Sequence, residues 1–290
     1  YLCLLPYHKW NRLNRKDAVA YNKSSRAVNT WKGMIEMTFP VLEGKVAIVT
    51  GAAMGKATAE LFSKAGAKVV VADFNEEKGA ETVEEIKAAG GEAAFVKVDI
   101  SNSEQVQSMV KFTVDTYGKL DVAVNNAALT PDDKPADEFD EDYWDRLMAV
   151  DLKGTALCQK YELQQMKKQG HGGSIINISS VSGFRPQPNN IAHVAAKHGV
   201  VGMTKVAALE NGPYNIRVNS VAPGAIDTPM LRGALEQFGL DEESYAPQLS
   251  LLNRFGQAED IAEARLWLGS DASSYVTGTT IHADAGYVNR

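Results

Sequence analysis

The stretch that decides the fold is Val46-Ala47-Ile48-Val49-Thr50-Gly51-Ala52-Ala53-Met54-Gly55-Lys56-Ala57. A run rich in β-branched residues predicts a buried strand over 46–50, two glycines mark a turn, and an amphipathic pattern over 56–65 predicts a helix. This order opens a βαβ unit. Glycine at such a turn lets the backbone approach a phosphate, but glycine also serves tight turns, so both interpretations stay open at this point.

The same alternation continues along the chain. It predicts further strands at 69–72, 94–98, 122–125, 174–178, 217–221 and 280–283, and helices at 76–89, 103–117, 143–168, 191–210 and 258–270. We therefore predict an α/β fold, a single doubly wound Rossmann-type domain over 41–290 with a seven-stranded parallel sheet. Residues 229–255 carry scattered apolar side chains, which predict a mobile helical lid over an apolar pocket or side chains buried against the core or a neighbouring subunit.

Composition excludes several classes of function. The net charge of −6 argues against nucleic acid as a partner, because phosphate neutralisation needs a basic face. No apolar run approaches the roughly 20 residues that cross a bilayer, so no membrane partner is expected. Cys3 and Cys158 are too few for a disulfide framework, and neither they nor the histidines have metal-ligand spacing. We expect a reducing, cytoplasmic compartment and no metal.

The first 40 residues differ from the rest in charge. They hold seven Lys or Arg residues against Asp17 and Glu36, whereas the remainder is acidic. We interpret residues 1–40 as a basic N-terminal extension, disordered or non-native, that lies outside the fold. A targeting or partner-binding arm is the alternative.

A second motif lies late in the chain. Ser180 precedes His193 by thirteen residues, and Lys197 follows His193 by four. From about Leu42 to Tyr287 the chain resembles the short-chain dehydrogenase/reductase family, whose catalytic segment is a serine followed by Tyr-x-x-x-Lys. Ser180 and Lys197 match this pattern, His193 stands in place of the tyrosine, and Asp151 stands where the family has an asparagine.

The resemblance implies a role for each of these positions. In the family, the serine binds the substrate oxygen, the tyrosine exchanges a proton with it, the lysine binds the nicotinamide ribose and lowers the tyrosine pKa, and the asparagine completes a water relay. The catalytic residues implied here are Ser180, His193, Lys197 and Asp151.

The histidine changes the expected chemistry. Residues four apart share a helix face, so His193 and Lys197 should both face the cofactor. The lysine ammonium lowers the imidazole pKa, which leaves a neutral ring that accepts a proton from an alcohol but donates poorly to a carbonyl. Asp151 would oppose this effect if it lies close. We expect slow or absent turnover, with alcohol oxidation less impaired; a helix histidine without catalytic duty is the alternative.

The resemblance also implies a dinucleotide site. Its cofactor-binding positions are Gly51, Met54, Gly55, Asp73, Asp99, Ile100, Asn125, Ala127, Lys197, Pro223, Gly224, Ile226 and Thr228. Asp73, at the end of the second strand, should bind the adenosine ribose 2′-OH and repel a 2′-phosphate. Because neither Met54 nor Phe74 is a cation, NAD is favoured over NADP, unless a shifted turn brings Lys56 near the ribose.

The glycine-rich turn departs from the family pattern T-G-x-x-x-G-x-G. Gly55 is followed directly by Lys56, as though two residues were absent. Their removal rotates the following helix by roughly 200°. We expect the loop to absorb this change, to offer fewer N–H groups to the phosphates, and so to weaken dinucleotide affinity.

Two hypotheses on function follow. The first is an NAD(H)-dependent oxidoreductase that interconverts a secondary alcohol and a ketone. Its expected small-molecule partner is an alcohol or ketone substrate. The second is a catalytically silent binding protein with this fold, which retains or has lost the cofactor. The resemblance further implies a homo-oligomer, tetramer or dimer, paired through the helices at 143–168 and 191–210.

Overall fold

Seven strands form one parallel sheet in the order β3-β2-β1-β4-β5-β6-β7, which confirms the predicted fold class. The computed structural model describes residues 41–239 and 241–289, so the predicted extension at 1–40 lies outside the described residues. The strands are β1 (Val46–Thr50), β2 (Lys68–Asp73), β3 (Ala93–Lys97), β4 (Val122–Asn125), β5 (Gly173–Ile178), β6 (Ile216–Pro223) and β7 (Thr280–Ala283). The strand order reverses between β1 and β4, and ligands of such sheets bind at this switch point.

Helices cover both faces of the sheet, as parallel strands require. They are α1 (Ala52–Lys64), α2 (Glu76–Ala88), α3 (Ser103–Tyr117), α4 (Glu141–Leu147), α5 (Thr155–Gln169), α6 (Ile191–Asn211), α7 (Pro229–Phe238), α8 (Glu242–Leu249) and α9 (Ala258–Gly269). One apolar core, around Phe62 and Leu268, lies on one face, and a second, around Met109 and Met166, lies on the other. No helix within 41–239 or 241–289 has the length and apolar character needed to cross a membrane.

The glycine-rich turn consists of Gly51 alone, because α1 begins at Ala52, four residues earlier than predicted. Gly51 adopts φ 79°, a conformation that glycine tolerates at no steric cost. Phe62 of α1 is still fully buried. Helix α1 therefore keeps its packing on the sheet although it begins directly after Gly51.

The predicted helix at 143–168 is divided into α4 and α5 by a π-helical turn, Met148–Gly154. Thr155 Oγ1 donates to the Asp151 carbonyl at 2.8 Å within this wider turn. Gly154 packs directly on Ile100, because a Cβ there would lie 2.8 Å from Ile100 Cγ1. Such turns often occur at functional sites, and this one carries Asp151.

The predicted lid region contains two short helices, α7 and α8. Leu235, Ala246 and Phe255 form a small buried apolar cluster between them and the following loop. These three side chains are thus packed against each other in a cluster separate from the two main cores, so they are not buried against the core, and the mobility of the segment stays a prediction.

Candidate active site

Three charged or titratable side chains meet at the carboxyl edge of the sheet. Lys197 Nζ lies 3.3 Å from Asp151 Oδ2, and His193 Nδ1 lies 3.9 Å from the same oxygen. Lys197 also donates to the Ile178 carbonyl at 3.3 Å. Asp151 has no exposed surface, and Lys197 and His193 are buried. His193 and Lys197 therefore both face the same oxygen of Asp151.

Ser180 follows β5 and lies beside this cluster. Ser179 Oγ donates to the Lys197 carbonyl at 3.0 Å, which holds the serine segment against α6. Ser180 Oγ accepts from the Ser182 N–H at 3.1 Å and lies 3.2 Å from Ser182 Oγ. The structure thus brings Ser180 and Lys197 to the same edge.

The orientation of α6 is fixed by Asp132, a residue that sequence reasoning missed. Its two carboxylate oxygens accept from the N–H groups of Ala192 and His193 at 2.9 and 3.0 Å. A carboxylate at a helix N-terminus satisfies donors that have no partner in the helix and complements the helix dipole. No local pattern announces this cap, because Asp132 lies 60 residues before the helix.

Burial governs the charges in the cluster. It lowers the pKa of His193 to about 4, helped by the Lys197 ammonium and opposed by Asp132. Burial also raises the pKa of Asp151, against the effects of Lys197 and of the Leu129 N–H. His193 Nδ1 and Asp151 Oδ2 lack a hydrogen-bond partner, and their separation exceeds a hydrogen bond. The His193 imidazole is therefore neutral at neutral pH. The Asp151 carboxyl group lies beside it, and burial favours the protonated form of that group.

The turn after β1 lies against the loop after β4. A Cβ on Gly51 would lie 2.7 Å from Ala127 Cα, so only glycine permits this approach. Asn126 Nδ2 donates to the Gly51 carbonyl at 3.0 Å, and the Ala127 N–H donates to Thr50 Oγ1 at 3.1 Å. In the first turn of α1, the Ala53 and Met54 N–H groups have no partner within the helix, as an anion site requires.

Both carboxylate oxygens of Asp73, which the sequence predicts to bind a ribose, have backbone partners in the protein. Its carboxylate accepts from the Ala52 N–H, the first of α1, and from the Asn75 N–H at 2.6 Å. The shortened turn brings the helix start within reach of this acid. Lys56 pairs with Glu85 of α2, so its ammonium has a partner other than a ribose.

The other predicted cofactor positions line the same edge of the sheet. Near β3 and β4, Asp99 accepts from Ser101 N and Oγ, Ile100 is buried, and Asn125 donates to Glu162 and Asn177. In α1, the Met54 carbonyl accepts from Arg265. Near β6, Pro223 pairs with Ala283, Gly224 packs on Asp284, Ile226 forms a bridge with Gly256, and Thr228 caps α7. The Asn125 side chain is thus bonded within the protein.

A cavity of about 220 Å³ adjoins the segment Gly224 to Ile226. Its other walls include Leu249, Leu252 and the strand end at His282. It lies towards β7, and neither Ser180 nor His193 lines it. Among the described residues, no group of three His, Cys, Asp or Glu side chains is placed to hold a metal ion.

Comparison with known proteins agrees with this architecture. A family model described as enoyl-(acyl carrier protein) reductase matches residues 50–288. The chain is 51% identical over 248 residues to the short chain dehydrogenase/reductase astE of Aspergillus oryzae, covering 84% of this chain and 95% of that protein. The chain belongs to the short-chain dehydrogenase/reductase family.

Two further relatives are a dehydrogenase and a reductase by name. A 2,5-dichloro-2,5-cyclohexadiene-1,4-diol dehydrogenase of Sphingobium indicum is 42% identical over 249 residues, covering 85% of this chain and 98% of that protein. The crystal structure of levodione reductase matches with a TM-score of 0.79 at 33% identity, covering 86% of this chain and 99% of the other. The relation supports an oxidoreductase that acts on CH–OH groups with a nicotinamide cofactor.

Sequence reasoning missed two buried charged residues in this short-chain dehydrogenase/reductase. Arg265 of α9 and Glu162 of α5 have no exposed surface. Each lies on an apolar helix face, since Ile261 and Leu268 flank the arginine and Cys158 and Met166 flank the glutamate at helical spacing. This helical spacing of a charged residue among apolar ones is the sequence signal that could have identified Arg265 and Glu162 as buried.

Restoring the family-length turn should strengthen dinucleotide binding. Insertion of Ile-Gly after Gly55 lets the helix start later, which frees the N–H now bonded to Asp73 and adds donors for a pyrophosphate. One or two added N–H contacts predict an NADH dissociation constant about tenfold lower. Fluorescence titration measures it, with the same dipeptide inserted after the open, exposed Gly118 as the control. An unchanged dissociation constant would refute the role given to the turn.

Proposed function

We propose that this chain is an NAD(H)-dependent oxidoreductase that interconverts a secondary alcohol and a ketone by hydride transfer. The observation that carries the proposal is the cluster of Asp151, His193 and Lys197 beside Ser180, at the carboxyl end of β5. A general base, an oxygen-binding hydroxyl and a fixed cation thus lie together at the carboxyl edge of the sheet, where ligands of such folds bind.

The residues of the cradle fit a dinucleotide. The Ala53 and Met54 N–H groups in the first turn of α1 have no partner within the helix, so they are the donors that a pyrophosphate would use, and the nicotinamide would supply the hydride acceptor or donor. Asp73 supports NAD over NADP, because its carboxylate disfavours a 2′-phosphate. The pairing of Lys56 with Glu85 removes the cation that could have favoured NADP.

The catalytic residues divide the proton chemistry between them. Ser180 Oγ binds the substrate oxygen, and neutral His193 accepts the alcohol proton at Nε2, the ring nitrogen that does not face Asp151. Asp151 Oδ2 attracts the proton at Nδ1 and so stabilises the imidazolium that forms. Lys197 shares that oxygen and favours the ionised carboxylate, against burial, which raises the pKa of Asp151.

A cyclic secondary alcohol is the substrate class that we propose first. The Sphingobium relative is named for a cyclohexadiene diol. A broad panel of cyclic and open-chain alcohols and ketones therefore begins with cyclohexanol derivatives.

We expect slow oxidation of an alcohol by NAD⁺, with reduction of the matching ketone by NADH slowed in proportion, because both directions pass through one transition state. A group with its pKa lowered to about 4 is the competent base throughout neutral pH, so kcat/KM for oxidation should fall only as the pH approaches 4 and His193 becomes protonated. NADH absorbance measures both directions, and Ser180→Ala should lose most of the rate. Loss of oxidation already near pH 6.5 would contradict this assignment of the base.

A catalytically silent binding protein is the second candidate. The ion pair between Lys197 and Asp151 favours it, because the lysine charge is then occupied within the protein. Dinucleotide binding without turnover of any panel member would support it.

Assembly and location belong to the same proposal. Leu209 of α6 is 82% exposed, and Val206 and Tyr214 beside it are also exposed apolar side chains. We propose that α6 pairs with a second copy in a homo-oligomer, a dimer or tetramer, in the cytoplasm.

A further inference from the structure

Arg265 is a buried cation without a counter-charge among the described residues. Nη1 donates to Thr58 Oγ1 at 2.7 Å and contacts the Met54 carbonyl at 3.4 Å, and Nη2 donates to Asn126 Oδ1 at 2.8 Å. Nε is buried without a hydrogen-bond partner. Arginine is almost never fully buried unless it is paired, and an uncompensated buried charge is costly. Its three acceptors are neutral, so the missing anion needs an explanation.

The acceptors of Arg265 belong to the dinucleotide cradle. Met54 and Thr58 lie in the first two turns of α1, and Asn126 follows β4. Asn126 in turn donates to the Gly51 carbonyl at 3.0 Å. The guanidinium therefore contacts the inner side of the glycine-rich turn, and one side chain separates it from the Gly51 backbone.

We propose that Arg265 is a positioning residue for the cofactor, whose buried charge is the counter-charge for the diphosphate of a dinucleotide held at Gly51 and the first turn of α1. The charge compensates for N–H donors that the shortened turn does not provide. The inference rests on the cofactor part of the proposed function and needs no turnover.

The physics supports an action without direct contact. Burial lowers the pKa of Arg265 to about 9, which still leaves the group charged at neutral pH. Between charges inside a protein the effective dielectric is well below that of water, so attraction persists over several ångströms. The uncompensated charge of Arg265 therefore destabilises the ligand-free protein, and a bound anion compensates this charge.

This role predicts opposite changes in stability and affinity. Arg265→Met replaces the guanidinium with an apolar side chain, so the ligand-free protein should melt at the same or a higher temperature. The same change should weaken binding of a diphosphate ligand by about tenfold. A purely structural arginine would lower both together.

Calorimetry on the full chain with ADP-ribose and with adenosine tests the inference. We expect Arg265→Met to reduce the preference for ADP-ribose over adenosine about tenfold, and Arg265→Lys, which keeps the charge, to stay within about threefold of the wild type. Arg217→Met is the matched control, because that half-buried arginine donates to the Leu268 and Ser270 carbonyls, away from the cradle. Should Arg265→Met fail to fold, Arg265→Gln takes its place.

Three results would overturn the inference. They are an unchanged ligand preference in the neutral variants, equal weakening of both ligands with a lower melting temperature, and a wild-type protein that does not bind ADP-ribose. The last would also remove the cofactor from the proposed function. Tight ADP-ribose binding without oxidation of any alcohol would instead contradict only the oxidoreductase activity.

Discussion

Replacing His193 with tyrosine and Asp151 with asparagine together should raise kcat/KM for alcohol oxidation by about a hundredfold. General acid–base catalysis by a well-placed group contributes roughly 10² to 10⁴ in rate. The phenol would lie one helical turn from Lys197, whose ammonium favours the phenolate. With asparagine at 151, the lysine loses the carboxylate that now lies 3.3 Å away and can act on the phenol.

The single substitutions distinguish a working dyad from two independent changes. In the wild-type background, Asp151→Asn removes the carboxylate that faces His193 Nδ1, so activity should fall. In the His193→Tyr background, the same substitution removes a negative charge that raises the phenol pKa, so activity should rise. A change of sign between backgrounds is a coupling that residues in contact can produce and distant ones rarely do.

Steady-state kinetics of the four variants measures this cycle. His198→Tyr serves as the control, because His198 is exposed on the same helix, one residue beyond Lys197. Equal effects of Asp151→Asn in both backgrounds would show that the two residues act separately. No gain from tyrosine would mean that position 193 does not carry the proton transfer.

The strands were predictable because their signal is local. β1, β4 and β7 have the predicted bounds, since a parallel sheet buried on both faces needs short β-branched runs. The start of α1 was predicted four residues late. Gly55 interrupts the helical pattern in the sequence, but it is helical here, because the chain has no residues left for a longer loop.

The sequence named the members of the candidate site but not their contacts with each other. Spacing alone places His193 and Lys197 on one helix face. The approach of Asp151 depends on the π turn, which adds a residue to the helix and is not visible in a pattern that continues through 143–168. The bond from Ala52 to Asp73 likewise depends on tertiary packing of two strand ends.

Glu162 shows how such a contact affects stability. Oε2 accepts from Asn125 Nδ2 at 2.9 Å, whereas Oε1 is buried without a hydrogen-bond partner. Burial raises the pKa of Glu162 from 4.5 to about 8. The folded protein therefore keeps this proton at neutral pH, and the unfolded chain releases it.

The sign of the pH dependence follows from this difference. Between pH 4.5 and about 8 the unfolded state binds fewer protons, so the contribution of Glu162 to stability falls as the pH rises, and it is constant above about 8. The shift sets an upper limit of about 5 kcal/mol. His193 acts in the opposite sense between about 4 and 6.5, where the unfolded state binds more protons.

Glu162→Gln should therefore gain stability relative to the wild type as the pH rises from 5 to 8, by a few kcal/mol, and the difference should then level off. The difference in the free energy of unfolding between Glu162→Gln and the wild type does not include the His193 contribution, because both proteins contain His193. Urea unfolding at several pH values measures it, and Glu263→Gln, at an exposed position of α9, should give a difference that does not change with pH. A pH-independent difference for Glu162→Gln would mean that the buried carboxyl group is ionised in the folded protein, and that the unpartnered Oε1 holds a charge rather than a proton.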